Sequence, residues 1–526
     1  MAYLLQQLLT MTAARLPDKE AVVCRRERLS YRELDQASNR LARLLRARGV
    51  EPGDRVGFYF GKSVYSVISM FGILKAGAAY VPIDPQAPVK RVSHILRNCG
   101  AKGVITSAAK TKTLGAGGLE GARVEFFVLT DNLDPAACDG VEMIYWSALA
   151  QMSAAEVEPD GLVENDLAYI LYTSGSTGDP KGVMLTHRNA LTFIEWCAET
   201  FEVRADDRLS NHAPLHFDLS VFDIYNAIVA GATVFMVDEE TVVFPTNVTA
   251  FIEANKISVW YSVPSALVQL LLHGGLSTRT VPKLRLVLYA GEPFPIKHLR
   301  ALTECLPNAT IYNLYGPTET NVCTFYRVPR PLPPGIDRIP IGKACANTQA
   351  VAYDEEGRKI HVGGEGELFV RGPSVTPGYW GDEEKTSRAV TRDPSRAYLN
   401  DRVYRTGDIV TLDDEGNYIF LGRRDHMIKS RGYRIELGEI EAALYSHPSV
   451  AEAAAVAVPD EEIGNRLWAF VAVNTGDETS KEILLAHCAQ RVPGYMLPER
   501  IELCERLPKT STGKVDRRRL LLQGTY

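Results

Sequence analysis

Helical and strand-like patterns of apolar residues alternate along the first two thirds of the chain. Apolar positions three and four residues apart predict helices in YRELDQASNRLARLLRARG (31–49) and VYSVISMFGILKAG (64–77). Two intervening segments, RVGFYF (55–60) and YVPID (80–84), are typical of strands, as are the later runs KGVIT, EFFVL, LAYILYT, TVFMV, VWYSV and LRLVLYAGE. This alternation predicts a layered α/β fold built from αβαβα-type subdomains.

The pattern changes from about residue 351, where short strands separated by turn signals replace the helices. We expect a small β-rich subdomain there. In FLGRRDHMIKSRGYRIELGEIEAAL (420–444) a strand-like end meets a polar, charge-rich connection, and a helix starts near Glu436. We therefore predict a large N-terminal domain over residues 1–424 and a small mobile α+β domain over residues 425–526.

Composition narrows the function classes. The chain has 526 residues, of which 46% are hydrophobic and 23% charged, as expected of a globular protein with several subdomains. A net charge of −6 disfavours a nucleic-acid partner. The longest uncharged apolar run (63–74) is shorter than the roughly 20 residues of a membrane helix, so we expect no membrane partner. The nine cysteines form no close pair and no basic leader is present, which favours a cytoplasmic location without zinc or disulfides.

A loop rich in glycine and hydroxyl groups, YTSGSTGDPKG (172–182), follows the apolar run LAYIL. Its glycines let the backbone approach a ligand, and its amides, hydroxyls and Lys181 can line an anion site, so a phosphate is the simplest ligand. A P-loop needs Gly-Lys-Ser/Thr in succession, whereas Asp179 and Pro180 separate Gly178 from Lys181. The spacing disfavours a P-loop NTPase, and a plain surface turn is the structural alternative.

A second block, IYNLYGPTETNVC (311–323), surrounds a Gly-Pro turn. It contains an amide that can read a purine edge (Asn313), a ring for stacking (Tyr315), a hydroxyl (Thr318) and a carboxylate suited to a metal (Glu319). These groups together are what a nucleoside triphosphate with Mg²⁺ requires. Taken alone, a carboxylate such as Glu319 is more often a solvated surface group.

The ordered set of motifs resembles the adenylate-forming superfamily, which includes acyl-CoA ligases, luciferases and nonribosomal peptide synthetase adenylation domains. The two blocks above are followed by YRTGD (404–408), GRRDHMIKSRGYRIELGEIE (422–441) and LPKTSTGK (507–514) in the family's order and spacing. Four further segments resemble the adenylation-domain branch: LSYRELDQASNRLA, LKAGAAYVPIDP, GELFVRGPSVTPGYW and VPGYMLP. The resemblance implies a ligase in which a carboxylate attacks the α-phosphate of ATP and the acyl group then passes to a thiol.

The resemblance also implies a role for each matching residue. The loop holds the ATP phosphates, Asn313 and Tyr315 take the adenine, Thr318 takes the α-phosphate and Glu319 takes Mg²⁺. The expected ATP-binding set is Thr173, Ser174, Gly175, Ser176, Thr177, Gly178, Lys181, Gly291, Glu292, Asn313, Tyr315, Thr318, Asp408 and Arg423. Within it Asp408 accepts the ribose hydroxyls, helped by Arg423. Lys514 is implied to bridge the substrate carboxylate and the α-phosphate, and Asp425 matches the family's hinge aspartate.

The predicted substrate is a small α-amino acid. In amino-acid-activating members an aspartate at the place of Asp218 pairs with the substrate α-ammonium, since a desolvated ammonium needs a compensating carboxylate. The residues that match the family's other pocket positions are Phe217, Leu219, Phe222, Tyr261, Leu288, Ala290, Leu314, Val322 and Cys323, and Lys514 is implied to close the pocket. Because these residues are mostly apolar, and Phe222 and Tyr261 are large, we expect alanine first, then glycine or serine, with a β-amino acid less favoured.

The expected thiol acceptor is the phosphopantetheine of a separate acyl or peptidyl carrier protein, because no carrier segment follows Lys514 in the sequence. Arg517, Arg518 and Arg519 could attract an acidic carrier, or they are simply solvated. Three alternatives stay open. These are an acyl-CoA ligase, a D-alanine–carrier protein ligase, in which a cysteine precedes the Gly-Glu pair where this chain has Ala290, and a catalytically silent amino-acid or nucleotide sensor.

Overall fold

The architecture comes from a computed structural model, which describes residues 2–159, 161–175, 178–392, 401–424, 427–474, 479–509 and 515–524. Up to residue 186 the strands are β1 (Glu20–Cys24), β2 (Glu27–Ser30), β3 (Arg55–Tyr59), β4 (Ala79–Pro82), β5 (Gly103–Thr106), β6 (Phe126–Leu129), β7 (Glu142–Tyr145), β8 (Leu167–Thr173) and β9 (Lys181–Thr186). The helices of this part are α1 (Leu5–Arg15), α2 (Tyr31–Ala47), α3 (Val64–Ala76), α4 (Val89–Cys99) and α5 (Ala108–Thr113).

The alternation continues to residue 344. The strands are β10 (Arg208–Asn211), β11 (Thr233–Met236), β12 (Val259–Ser262), β13 (Leu286–Ala290), β14 (Thr310–Tyr315), β15 (Thr324–Arg327) and β16 (Lys343–Ala344). The helices are α6 (His187–Phe201), α7 (Leu219–Val221), α8 (Ala227–Ala230), α9 (Glu239–Val242), α10 (Pro245–Ala254), α11 (Pro264–Leu272) and α12 (Ile296–Cys305).

Strands predominate in the next part of the chain, with β17 (Gln349–Tyr353), β18 (Glu365–Arg371), β19 (Val390–Arg392), β20 (Arg402–Leu412), β21 (Tyr418–Arg423) and one described helix, α13 (Glu383–Ala389). The last part contains β22 (Met427–Ser430), β23 (Tyr433–Glu436), β24 (Val450–Asp460), β25 (Gly464–Val473) and β26 (Arg500–Cys504). Its helices are α14 (Leu437–Tyr445), α15 (Lys481–Ala489) and α16 (Arg517–Gly524).

Two mostly parallel sheets form the scaffold of the large domain. Nine strands run in the order β16-β15-β14-β13-β12-β10-β11-β1-β2, and seven run in the order β7-β6-β5-β3-β4-β8-β9. One apolar core contains residues of both sheets and of α1, α2 and α3. Ser30 caps the start of helix α2. Its side chain accepts from Glu33 N–H while the Glu33 side chain accepts from Ser30 N–H, a reciprocal cap that fixes the first turn.

Two smaller sheets and a hairpin complete the fold among the described residues. Strands β17-β18-β20-β19, with β21 on β20, form the β-rich subdomain, and β24-β25-β26 form the sheet of the small domain. The predicted α/β layers, β-rich subdomain and α+β C-terminal domain are confirmed. The boundary at Asp425 lies outside the described residues and stays a prediction.

One expectation about the chain between the domains is wrong. The polar connection expected before Glu436 is a β-hairpin, because β22 and β23 pair antiparallel with Lys429 opposite Arg434. Its strands are polar because their side chains reach a polar site in the large domain, so the alternation typical of a core strand is weak. No helix in the described ranges is both long enough and apolar enough to cross a membrane.

Candidate active site

The phosphate loop joins two antiparallel strands. Strand β8 ends at Thr173, which lies opposite Lys181 at the start of β9. Glycine is required at Gly175, where a Cβ would lie 2.1 Å from the Asp179 carbonyl oxygen, and at Gly178, whose φ is +94°. The Ser174 hydroxyl donates to the Arg434 carbonyl oxygen of the small domain at 2.8 Å. Ser176 and Thr177 lie outside the described residues.

Lys181 points from this loop toward Glu319 and Tyr379. Its Nζ lies 3.2 Å from Oε1 of Glu319 and 3.1 Å from the Tyr379 hydroxyl. Burial, together with the neighbouring charge of Arg434, lowers the pKa of Lys181 to about 8, although Glu319 opposes this shift. The loop thus presents one desolvated cation beside the carboxylate that the sequence predicts to bind metal.

Glu319 is fully buried and surrounded by donors. Arg434 Nη1 donates to Oε1 at 3.2 Å and to Oε2 at 3.1 Å, and the Tyr379 hydroxyl donates to Oε1 at 2.7 Å. Burial alone would raise the pKa of Glu319, but Arg434 and Lys181 outweigh it and hold that pKa well below its ordinary value. The carboxylate is therefore ionised, with both of its oxygens engaged.

The chemistry of Glu319 fits Mg²⁺, since carboxylate oxygen is a preferred ligand of that ion. In the described part of the chain no three His, Cys, Asp or Glu side chains lie together as a metal cluster. A metal at Glu319 would therefore draw its other ligands from nucleotide phosphates and water. In the present arrangement, however, Arg434 holds both oxygens.

The predicted ribose residues lie on two paired strands, and the predicted adenine residues lie on a strand of another sheet. Asp408 on β20 is opposite Arg423 on β21, and Arg423 Nη1 lies 2.6 Å from Oδ1 of Asp408. The Tyr315 hydroxyl at the end of β14 donates to Oδ2 of Asp408. Burial raises the pKa of Asp408, an effect that Arg423 and Tyr315 counter. Asn313 is buried on the same strand as Tyr315, and its amide donates to the Pro340 carbonyl oxygen at 2.8 Å.

The predicted substrate pocket is assembled from adjacent strands and one helix start. Tyr261 on β12 is opposite Leu288 on β13, and Ala290 is opposite Leu314 on β14. Phe222, in the turn after α7, meets Tyr261 edge to face at 5.7 Å. The buried members are Phe222, Tyr261, Leu288, Ala290, Leu314, Val322 and Cys323, whereas Phe217, Asp218 and Leu219 are half-buried.

Asp218 precedes α7 and faces the nucleotide block. Burial raises its pKa, while a hydrogen bond with Thr318 and the charge of Lys429 oppose the increase. Such a carboxylate gains a counter-charge when an ammonium binds beside it. The structure thus brings the predicted ammonium partner next to the predicted phosphate residue Thr318.

The hairpin of residues 427–436 enters this site from the small domain. Gly432 N–H donates to Oε1 of Glu292 at 2.5 Å, and the Tyr433 ring meets Phe217 edge to face at 5.1 Å. Glu292, predicted for ATP binding, thus contacts the hairpin here, while its neighbour Gly291 has φ +100°. Lys514 and Asp425 lie outside the described residues.

Comparison with known proteins agrees with this arrangement of two domains around a nucleotide-type site. Residues 9–380 match the AMP-binding enzyme model, and residues 439–514 match the AMP-binding enzyme C-terminal domain. The chain belongs to the AMP-binding enzyme family. The crystal structure of IdnL1 has a TM-score of 0.80 to this AMP-binding enzyme at 29% identity, covering 97% of this chain and 99% of that one.

Two curated relatives match almost the whole AMP-binding enzyme. An L-proline–[L-prolyl-carrier protein] ligase of Pseudomonas fluorescens is 42% identical over 98% of both chains. A ligase of the same name from Streptomyces coelicolor is 38% identical over 94% of this chain and 91% of its own. These matches confirm the predicted superfamily and an ATP- and Mg²⁺-dependent ligase that activates an amino acid for the phosphopantetheine of a carrier protein.

Sequence reasoning missed the hairpin cations of this AMP-binding enzyme. Arg434 contacts Glu319, and Lys429, its cross-strand partner, is close enough to Asp408 and Asp218 for each carboxylate to raise its pKa, although burial lowers that pKa overall. The available signal was weak: apolar and charged residues alternate in YRIE, and the preceding Arg431-Gly432 is a turn signal, which together indicate one strand of a hairpin.

Proposed function

We propose that this enzyme activates L-proline as prolyl-AMP and transfers the prolyl group to the phosphopantetheine thiol of a separate carrier protein. The observation that carries the proposal is the match, over 98% of both chains, to a ligase named for L-proline and its carrier. A second relative of the same name supports it. Proline thereby replaces alanine, the first choice on side-chain size alone, as the proposed substrate.

The predicted pocket suits a pyrrolidine ring. Its buried lining offers only the Tyr261 hydroxyl and the Cys323 thiol as polar side-chain groups, so a serine hydroxyl would lose more hydration than it recovers. The proline side chain has two more carbon atoms than the methyl side chain of alanine. At about 0.8 kcal/mol per buried CH₂, these favour proline over alanine by about 1.6 kcal/mol where the ring fits.

In the proposed first half-reaction a substrate carboxylate oxygen attacks the α-phosphorus of ATP and pyrophosphate leaves. Asp218 pairs with the secondary ammonium, Asp408 accepts the ribose hydroxyls with Arg423, and Asn313 and Tyr315 hold the adenine. Lys181 and the loop of residues 173–178 neutralise the phosphates, and Lys514 bridges the carboxylate and α-phosphate. Mg²⁺, when held through Glu319, supplies further positive charge at the phosphates.

In the proposed second half-reaction the carrier thiolate attacks the acyl carbon, the C–O bond to phosphate breaks and AMP leaves. The hairpin occupies the site in the arrangement described, with Gly432 against Glu292 and Tyr433 against Phe217. We assign this arrangement to thioester formation, because the hairpin contacts the site here, and we expect delivery of Lys514 in the first half-reaction to require a turn of the small domain about Asp425.

Amino-acid-dependent ATP–pyrophosphate exchange tests the proposed substrate. The panel contains L-proline, D-proline, L-alanine, D-alanine, glycine, L-serine, β-alanine and benzoate. We expect the highest kcat/KM with L-proline, exceeding that of L-alanine by on the order of tenfold or more. A higher value for alanine would restore alanine as the substrate, and exchange with benzoate alone would support the acyl-CoA ligase alternative.

A further inference from the structure

Arg434 of the small domain contacts Glu319, the carboxylate of the large domain that is proposed to bind metal. A single nitrogen of Arg434, Nη1, donates to both oxygens of Glu319, at 3.2 and 3.1 Å. The side chain of Glu319 is fully buried and that of Arg434 is 15% exposed. The pair is therefore desolvated, and charge neutralisation at Glu319 decides which cation can stay there.

Arg434 reaches Glu319 only because the hairpin is docked. Its own carbonyl oxygen accepts from the Ser174 hydroxyl of the phosphate loop. At the neighbouring turn, Gly432 N–H is held by Glu292. The guanidinium is thus fixed by the backbone on both sides, and any turning of the small domain withdraws it from Glu319.

Lys181 already lies 3.2 Å from Glu319, so the carboxylate has two cations beside it before any metal binds. A divalent ion at the same oxygens would bring four positive charges around one carboxylate, and Glu436 is the one other carboxylate that also acts on both Lys181 and Arg434 among the described residues. Arg434 Nη1 already lies within hydrogen-bonding distance of both Glu319 oxygens, so a metal held by this carboxylate would have to replace that contact. Arg434 and a divalent metal ion are therefore alternative partners of Glu319.

We propose that Arg434 and Mg²⁺ compete for Glu319, so that the hairpin docks only after the metal has left and the bound metal keeps the hairpin out. This inference rests on the proposed metal role of Glu319 and is independent of which amino acid is activated. Arg434 is on this account a positioning residue, because it acts through Glu319 and the docked hairpin rather than on the reacting atoms.

The competition predicts a gain of affinity on removal of Arg434. Enzyme molecules with the hairpin docked cannot bind the metal. The larger the docked fraction, the weaker the observed affinity for a metal–nucleotide complex. Calorimetry with α,β-methylene-ATP and Mg²⁺ should show Arg434→Gln binding about 3- to 10-fold tighter than wild type. Unchanged or weaker binding overturns the proposal, since a merely structural role of Arg434 would not tighten binding.

Three arms separate the possible causes. Arg431→Gln removes the same charge from the same hairpin, but Arg431 pairs with Glu499 of the small domain, so its affinity should match wild type. In EDTA, Arg434→Gln should lose its advantage; tightening that persists without metal contradicts the competition. Glu319→Gln should abolish the effect of Mg²⁺ on the analogue, and a retained effect would remove Glu319 from the metal site.

A measurement on the wild-type enzyme tests the competition even if the Arg434→Gln variant misfolds. Hydrogen exchange of residues 427–436 should accelerate severalfold when Mg²⁺ is added to the enzyme with the analogue, because the hairpin undocks. Arg434→Lys should bind the metal–nucleotide complex with intermediate affinity, since an ammonium is a weaker match for a carboxylate. Exchange that Mg²⁺ leaves unchanged would overturn the proposal without any variant.

Discussion

The backbone N–H of Gly432, in the small domain, donates to Oε1 of Glu292, in the large domain, at 2.5 Å. Glu292 also accepts from Ser265 N–H, so the carboxylate is fixed before the hairpin meets it. A Cβ added at Gly432 would lie 2.4 Å from Cγ1 of Val263, and its φ is +80°. This contact therefore requires glycine at position 432 for two reasons, the lack of space for a side chain and the backbone conformation.

We predict that Gly432→Ala slows thioester transfer selectively. The clash blocks the docked hairpin but not the rotated small domain, so transfer should fall on the order of 100-fold while ATP–pyrophosphate exchange changes less than about threefold. Gly416→Ala is the matched control, because Gly416 has φ +77° with nothing within 4 Å of the added Cβ. Equal loss of both half-reactions in Gly432→Ala would contradict this role of the docked arrangement.

Lys514→Ala should show the opposite pattern. If Lys514 bridges the substrate carboxylate and α-phosphate, adenylate formation should fall by on the order of a thousandfold or more, while transfer from supplied prolyl-AMP stays largely intact. Lys509→Ala is the control, since Lys509 lies in the same motif and pairs with Glu452. Single-turnover assays separate the steps, and parallel losses in both would refute the assignment.

Asp218→Asn should remove recognition of the substrate nitrogen. Loss of a desolvated charge pair costs about 3–5 kcal/mol, so kcat/KM for L-proline in pyrophosphate exchange should drop by roughly two to four orders of magnitude. Activity with cyclopentanecarboxylate, which lacks the nitrogen, should not decline. Asp206→Asn, at an exposed position, serves as control. If cyclopentanecarboxylate and proline lose activity equally, Asp218 is not the ammonium partner.

His187 makes the stability of the large domain pH-dependent. Its Nδ1 accepts from Leu5 N–H at the start of α1, and burial lowers its pKa to about 3. Unfolded histidine titrates near 6.5, so stability is fully present above that pH and is lost as pH falls toward 3. At pH 5 the loss should be about 2 kcal/mol.

His187→Asn keeps an acceptor near Nδ1 but takes up no proton. Because the asparagine side chain is smaller than the buried imidazole, we expect the variant to be less stable than wild type at pH 7.5. Only the wild type loses further stability at pH 5, so the difference in Tm should shrink there by a few degrees. Thermal unfolding at both pH values measures this. A Tm difference that does not vary with pH would exclude His187 as the titrating group.

Local sequence signals predicted most of the scaffold. The apolar periodicity of residues 31–49 predicted α2, and the apolar run before Thr173 predicted β8, because both signals depend on residues close in sequence. Resemblance of the motif blocks to the adenylate-forming superfamily implied that Lys181, Glu319 and Asp408 share one site. The scaffold thus required only periodicity, whereas the site required the family resemblance.

Two features could not be predicted in this way. The contact of Arg434 with Glu319 joins residues 115 positions apart and depends on how the two domains meet, which no local pattern encodes. The substrate was ranked by pocket size, yet an apolar pocket separates ligands by only about 0.8 kcal/mol per CH₂. Full-length relatives, rather than Phe222 or Tyr261, moved the proposal from alanine to proline.

A direct competition tests the central claim, that this enzyme activates L-proline. The enzyme is incubated with ATP, Mg²⁺, phosphopantetheine as the thiol, and equimolar L-proline, L-alanine, glycine and L-serine, and the thioesters are quantified by mass spectrometry. The account predicts that prolyl-phosphopantetheine exceeds every other product by on the order of tenfold or more. Predominance of the alanyl thioester, or of any product other than the prolyl thioester, would contradict it.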